Sequence, residues 1–160
     1  MPTRTAYIAT ALEVLTASNL NTHMKGVLGL ATITSDTTGI TTLTDISGSS
    51  LSVTIPADRT IMVLGYCGRI ASDTAGDMAN FRIEEDGSQV AQSRVDVGQS
   101  TRAANGGAAG MVTKVYDGKA AGTYTWNLAG SLATGTGDLS FRASSTSPAY
   151  LIVAALGPSL

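Results

Sequence analysis

The chain has 160 residues, which fits one domain, and 43% of them are hydrophobic whereas only 14% are charged. Its net charge of -2 and the lack of any Lys or Arg run argue against a nucleic-acid-binding surface, and its single cysteine, Cys67, excludes an internal disulfide. No signal-peptide pattern and no stretch of about 20 apolar residues is present, so we expect synthesis in the cytoplasm without an export signal and without membrane insertion.

Residues 1–30 are predicted to form an N-terminal arm that contains one short helix. The beginning of the arm is polar and rich in Thr and Ala, which is typical of an extended segment. Thr16 or Ser18 can cap a first turn and Gly26 can end a helix, so we predict a helix at roughly residues 17–25. A helix this short needs a partner surface. The apolar residues of the arm are the candidate attachment residues: Tyr7, Ile8, Leu12, Val14, Leu15, Leu20 and Met24.

Residues 31–160 are predicted to form a β-sandwich domain organised around one pair of strands. The segment 51–55 alternates apolar and polar residues, which indicates a strand with one buried face. After a turn that contains Pro56, the segment 60–67 is apolar on both faces, which predicts a strand buried between layers. We expect the rest of the domain to be built outward from this pair.

Further strands are predicted towards the C-terminus. Residues 79–84 and 89–95 flank an Asp-Gly dipeptide that is typical of a tight hairpin. The closing run 150–156 is continuously apolar, so we expect it at the centre of the sandwich or at a subunit interface. About eight strands at these spacings predict an all-β fold, a single jelly-roll-like antiparallel β-sandwich.

The sequence contains no catalytic constellation, so we expect a protein that is not an enzyme and has no cofactor. His23 is the single histidine, and Asp73 and Asp77 lack the spacing of a calcium loop. The sequence leaves open the alternative that a metal ion is bound between subunits. Trp126, with Asp73 and Asp77, is the candidate ligand-facing group, because an exposed indole can stack on a sugar. The alternation of Trp126 with Tyr124 favours a core position instead.

Two parts of the sequence carry a family resemblance. Residues 12–21, LEVLTASNLN, resemble a Gly-Glu-Val-Leu-Thr-Ala-x-x-Leu-Asn signature found near the N-terminus of tailed-bacteriophage structural proteins, with Leu12 in place of the glycine. The V-x-I-P-x-x-R-x-I-x-V pattern at 53–63 and G-T-Y-T-W at 122–126 are similar to the β-sandwich modules of trimeric virion appendages. In architecture the pattern also resembles the jelly rolls of the tumour-necrosis-factor and complement-C1q class.

The resemblance implies a structural protein on the virion surface, as a head decoration protein, a tail-surface protein or a short fibre. Its implied partners are other copies of the chain, in a homotrimer, and capsid or tail proteins that the arm contacts. Several arms on one oligomer would strengthen a weak attachment. One alternative is a host-receptor or glycan-binding module that uses Trp126 and the loops at 73–77 and 98–110. A second alternative, an enzyme such as a depolymerase, is disfavoured because no groove with paired carboxylates is indicated.

Overall fold

The computed structural model describes residues 26–97 and 107–158, and this part of the chain contains eleven strands. In chain order they are β1 Gly26–Ile33, β2 Thr37–Ile40, β3 Thr44–Asp45, β4 Leu51–Ile55, β5 Arg59–Ser72, β6 Met78–Glu85, β7 Ser88–Asp96, β8 Ala108–Lys119, β9 Gly122–Thr134, β10 Leu139–Arg142 and β11 Ala149–Pro158. Across these residues no helix is long and apolar enough to cross a membrane. The predicted helix lies outside the described residues, together with all seven candidate attachment residues: Tyr7, Ile8, Leu12, Val14, Leu15, Leu20 and Met24.

The strands form two antiparallel sheets, which confirms the predicted all-β sandwich. The first sheet has the order β1-β11-β5-β10-β2, and β8 also pairs with β5. The second sheet has the order β3-β9-β6-β7, and β4 also pairs with β9. The chain crosses from the first sheet to the second between β2 and β3, which have only 4 and 2 residues. Because such short strands are counted separately, the described residues contain eleven strands, whereas about eight were predicted.

Strand β5 organises the first sheet because it pairs with three other strands. Its first part pairs with β11, its last four residues pair with β10, and β8 runs along the opposite edge. The hairpin predicted around Asp86 is present as β6 and β7, and Asp86 itself adopts a positive φ of 48°. Both predictions rested on local signals, a long apolar run and a turn dipeptide.

The core lies between the two sheets and is built from the inward-facing side chains of their strands. Phe81 of the second sheet and Phe141 of the first sheet pack against each other in this core. The centroids of their rings lie 5.6 Å apart. Burying a large apolar side chain of this kind stabilises the fold by roughly 1.5–3 kcal/mol. The largest fully buried side chains are Trp126, Phe81, Phe141, Ile33, Ile40, Ile55, Ile61, Ile70, Ile83, Leu128, Leu139 and Leu151.

The prediction that the segment 60–67 is buried on both faces is wrong for the single chain. Ile61 and Val63 are fully buried, but Met62 and Leu64 are only half-buried and Tyr66 is 37% exposed. The inward residues contact the second sheet. The outward residues lie on the other side of the first sheet, where they remain partly accessible to solvent in the described part of the chain.

Candidate assembly surface

The outward side of the first sheet carries apolar side chains on four adjacent strands. Outward residues of β5 lie opposite outward residues of both neighbouring strands, as Leu64 lies opposite Ile152 of β11 and Thr113 of β8. On β1, Leu30 is in turn opposite Ile152. We call this set the outer face: Val27, Leu30, Met62, Leu64, Tyr66, Met111, Thr113, Val115, Tyr150, Ile152 and Ala154.

The outer face is partly exposed, and none of its eleven residues is Asp, Glu, Lys, Arg or His. Val27 is 64% exposed, Met111 62% and Leu30 52%. Four strands spaced by about 4.8 Å, each covered over a length of about five residues, give a footprint of roughly 300 Å² before side-chain relief is counted. Monomeric proteins rarely expose contiguous apolar patches larger than a few hundred Å², and the largest patch of a monomer is often functional. The outer face is therefore the candidate functional surface.

The outward side of the second sheet is polar. Asn80 of β6 donates to Ser131 Oγ of β9 at 3.2 Å and accepts from Gln92 Nε2 of β7 at 3.0 Å. Arg82 Nη2 also donates to Ser131 Oγ, at 3.2 Å. Hydrogen-bonded polar side chains of this kind suit a surface in contact with water. The outward side of the first sheet is thus apolar, whereas the outward side of the second sheet is polar.

Sequence reasoning found only part of the outer face. The continuous apolar runs of β5 and β11 indicated a second apolar side, and its central residues lie there. Val27 was missed because it lies in residues 1–30, which were predicted to form the arm. Met111 and Val115 were missed because the sequence of β8 indicates an ordinary strand. The signal that could have identified them is apolar residues at consecutive positions of a strand, as in Met111-Val112, where the inward neighbour is also apolar.

Trp126 does not lie on the surface, contrary to the prediction that it faces a ligand. It is fully buried, and its Nε1 donates to Glu85 Oε2 at 3.1 Å. Its ring lies against Tyr124, with centroids 5.7 Å apart. The inward phase of β9 places the indole in the core, as the alternation of that segment favours.

Asp73 and Asp77 hold two loops together. Asp77 is 1% exposed and accepts from the backbone N–H groups of Thr136 and Gly137 at 3.2 and 3.0 Å. Asp73 is exposed, but its Oδ1 accepts from the backbone N–H of Asp138 at 2.9 Å. The ligand-facing prediction is therefore wrong for Asp77, whose carboxylate is turned inward. Trp126 and Asp77 are therefore not placed to serve the glycan-binding alternative, and most of its loop at 98–110 lies outside the described residues.

Substitution of Gly135 by Ala is expected to destabilise the protein by about 2–3 kcal/mol. Gly135 has a φ of 113°, and an added Cβ would lie 1.8 Å from Asp77 Oδ1. The matched control is Gly76→Ala, because Gly76 also has a positive φ of 84° but has no atom within 4 Å of an added Cβ. Urea denaturation measures both. Equal losses in the two variants would contradict a role of the Asp77 carboxylate.

A buried ion pair joins the two sheets at another place. Lys119 Nζ of β8 lies 2.7 Å from Glu85 Oε1 of β6, and the two side chains are 9% and 15% exposed. Tyr116 and Trp126 both donate to Glu85 Oε2. The ammonium group of Lys119 also lies over the ring of Tyr124, 3.8 Å from its centroid. We call Glu85, Tyr116, Lys119 and Trp126 the Glu85 cluster.

The electrostatics of the Glu85 cluster are those of a structural ion pair. Burial raises the pKa of Glu85, but hydrogen bonds from Lys119 and Tyr116 outweigh it and hold the pKa below its ordinary value of 4.5. Burial and the bond to Glu85 raise the pKa of Tyr116 well above its ordinary value. Both carboxylate oxygens already accept from side chains of the cluster, so we assign the cluster to stability.

Cys67 is also structural. Its side chain is buried, and its Sγ donates to the carbonyl oxygens of Arg69 and Arg142 at 3.4 and 3.7 Å. Burial raises the pKa of the thiol, which lowers its reactivity at neutral pH. Within residues 26–97 and 107–158, no group of three or more His, Cys, Asp or Glu side chains is placed to hold a metal ion.

Comparison with known proteins gives only distant likenesses. No protein-family model and no curated protein matches the chain. It resembles dimeric latent PorU from Porphyromonas gingivalis with a TM-score of 0.41 and 10% identity, over 80% of this chain and 13% of that chain. It also resembles chains of infectious bursal disease virus, in a T13 viral particle (TM-score 0.40, 12% identity, 86% and 37% of the two chains) and in the Gx strain (0.35, 14%, 86% and 39%).

In each of these likenesses the chain spans less than two-fifths of the length of the other protein. All three identities are below 25% and all three TM-scores are below 0.5. We therefore base no functional conclusion on them.

Proposed function

We propose that this chain is a non-enzymatic structural protein of a tailed-phage virion. It docks through its N-terminal arm and displays a trimeric β-sandwich on the particle surface, as a head decoration protein, a tail-surface protein or a short fibre. The resemblance of residues 12–21 to the phage signature supports the phage setting. The observation that carries the assembly role is the uncharged apolar outer face on a sandwich whose opposite side is polar.

The size of the outer face supports contacts between copies of the chain. Two outer faces packed together cover roughly 600 Å² of apolar surface, which stabilises the contact by at most about 15 kcal/mol, whereas association costs about 4–15 kcal/mol. The apolar contact therefore offsets the cost of association. In the proposed cyclic trimer each subunit divides its outer face between two neighbours.

Polarity supports the orientation of the sandwich in that assembly. With the outer face directed at neighbouring subunits, the hydrogen-bonded polar side of the second sheet remains in contact with water. Residues 1–25 of the arm precede β1, and Val27 of β1 belongs to the outer face. The arms thus leave the sandwich beside the subunit contacts, where several of them can act on one particle.

Deletion of residues 1–25 is expected to leave a folded oligomer that no longer joins particles. All eleven described strands begin after the deleted segment, so the sandwich and its outer face are retained. Light scattering coupled to size-exclusion chromatography measures the oligomer, and co-sedimentation with particles that lack the protein measures incorporation. The full-length chain is the control. Normal incorporation of the truncated protein would contradict docking through the arm.

A further inference from the structure

A largely buried arginine lies at the beginning of β5 and has no partner among the described residues. Arg59 is 7% exposed and shares the inward side of β5 with Ile61 and Val63. Within residues 26–97 and 107–158 its side chain forms no hydrogen bond and no ion pair. Arginine side chains that are this buried are almost always paired, so the unpaired guanidinium of Arg59 requires an explanation.

The guanidinium of Arg59 is recessed but can be reached from solvent. Among the described residues, only Arg82 Nε is both fully buried and without a hydrogen-bond partner. The nitrogen atoms of Arg59 therefore retain some contact with water, whereas its aliphatic stem is covered by the protein, an arrangement common for arginine. A side chain held in this way loses little further conformational entropy when a ligand binds. Arg59 is thus a preorganised donor that lacks an acceptor in the described part of the chain.

The carboxylates near Arg59 are not paired with it. Glu85 is bound by Lys119, which lies opposite Arg59 on β8. Asp117 accepts a hydrogen bond from a threonine hydroxyl at 3.0 Å. Asp58 precedes Arg59 in the chain, but it is exposed, so water screens its charge. No direct contact within the described residues therefore neutralises the charge of Arg59.

Arg59 lies at the end of the sandwich from which the arm leaves. Strand β1 begins at Gly26, which pairs with Ala155 of β11, and Ala155 pairs with Ile61 of β5. Strands β1 and β5 run in the same direction, since both are antiparallel to β11. With strands about 4.8 Å apart and about 3.3 Å per residue, the backbone of Arg59 lies roughly 12 Å from that of Gly26. A surface that the arm contacts beside the sandwich is thus close to the guanidinium.

We propose that Arg59 binds a carboxylate of the capsid or tail protein on which the arm docks. The inference rests on the proposed function, and it adds the chemistry of the partner, which is an acidic side chain at the docking site. A guanidinium fork matches a carboxylate with two parallel hydrogen bonds. The arm and Arg59 then form two linked contacts, and each raises the effective concentration of the other. An arginine that is paired only on the particle accounts for the unpaired guanidinium of the free chain.

Co-sedimentation of the full-length protein with particles that lack it tests the proposal. Arg59→Met is expected to weaken binding to the particles about tenfold or more, because a charge-assisted pair is lost. The variant should keep its oligomer and an equal or higher melting temperature, since no internal partner is lost and methionine retains most of the stem. Arg59→Lys should restore only part of the binding, since the fork is absent. Arg94→Met is the matched control, because Arg94 is exposed on β7 near the opposite end of the sandwich.

The chemistry of the partner is tested on the particle. Amidation of the particle carboxylates with a carbodiimide and glycinamide should weaken binding of the unchanged protein about tenfold more than binding of Arg59→Met. Three results would overturn the proposal: a lower melting temperature in Arg59→Met, equal particle binding by Arg59→Met and Arg94→Met, or equal effects of amidation on the unchanged protein and on Arg59→Met. A phosphate partner would give the last of these results.

Deletion of residues 1–25 tests the proposed function separately. If the deletion abolishes particle binding while Arg59→Met binds fully, the proposed function stands and this inference fails. If the deletion still binds particles and Arg59→Met does not, docking through the arm fails instead. Light scattering of the same samples reports the oligomer, so a change in assembly is distinguished from a change in docking.

Discussion

Substitution of Leu64 by Asp is expected to dissociate the oligomer while leaving the sandwich folded. Leu64 lies at the centre of the outer face, between Ile152 and Thr113. A carboxylate buried there in a subunit contact would have no cationic partner, because the outer face carries none. We expect at least a hundredfold weaker association, measured by sedimentation velocity across a range of protein concentrations.

Two further variants make this prediction decisive. Val115→Asp changes a residue that is 51% exposed on the same face, so it should dissociate the oligomer with less effect on folding. Thr54→Asp is the control, because Thr54 is exposed on the second sheet. Far-UV circular dichroism checks the fold of all three. If Leu64→Asp and Val115→Asp both associate as Thr54→Asp does, the outer face is not the subunit contact.

Substitution of Glu85 by Ala is expected to cost about 3–5 kcal/mol of stability. The change leaves the Lys119 ammonium, which is 9% exposed, without its carboxylate. It also removes the acceptor of Tyr116 and Trp126. Urea denaturation at neutral pH measures the loss. A loss below about 1 kcal/mol would mean that the ion pair is as weak as one on the surface.

The double variant Glu85→Met with Lys119→Met separates the charge effect from packing. Both charges are removed together, so we expect a smaller loss than in Glu85→Ala. The pH dependence gives a second readout. The pKa of Glu85 is lower in the folded protein than its ordinary value of 4.5, so its stabilising contribution is present above about pH 4.5. That contribution is lost as the pH falls through the folded pKa, and the double variant should lack this acid-dependent part.

The local elements followed from the sequence where the signal was short in range. Alternation in 51–55 identified β4, with Val53 and Ile55 inward, and the Asp-Gly dipeptide identified the hairpin of β6 and β7. Alternation also favoured a core position for Trp126, which the structure confirms. These signals depend on the side-chain period of a strand and on the backbone preferences of turn residues, both of which are local properties.

Long-range contacts explain what could not be predicted. Asp77 was a candidate ligand-facing residue, and its burial arises from the turn at Thr136 and Gly137, 59 and 60 residues along the chain. The Glu85 cluster likewise unites residues of β6, β8 and β9. Arg69 and Arg142 lie opposite each other only because β5 and β10 pair in one register. None of these partners is adjacent in sequence, so no local pattern indicates them.

For the stretch 60–67, composition alone dictated an apolar strand with two apolar sides. It left open whether a second layer of the same domain or another protein covers the outward side, because a continuous apolar run has the same form in both cases. Strand pairing decided the matter. Sheet order places β1, β11, β5 and β8 side by side, and their outward residues merge into one exposed apolar surface. A surface is a property of neighbouring strands, so it arose only when the chain folded.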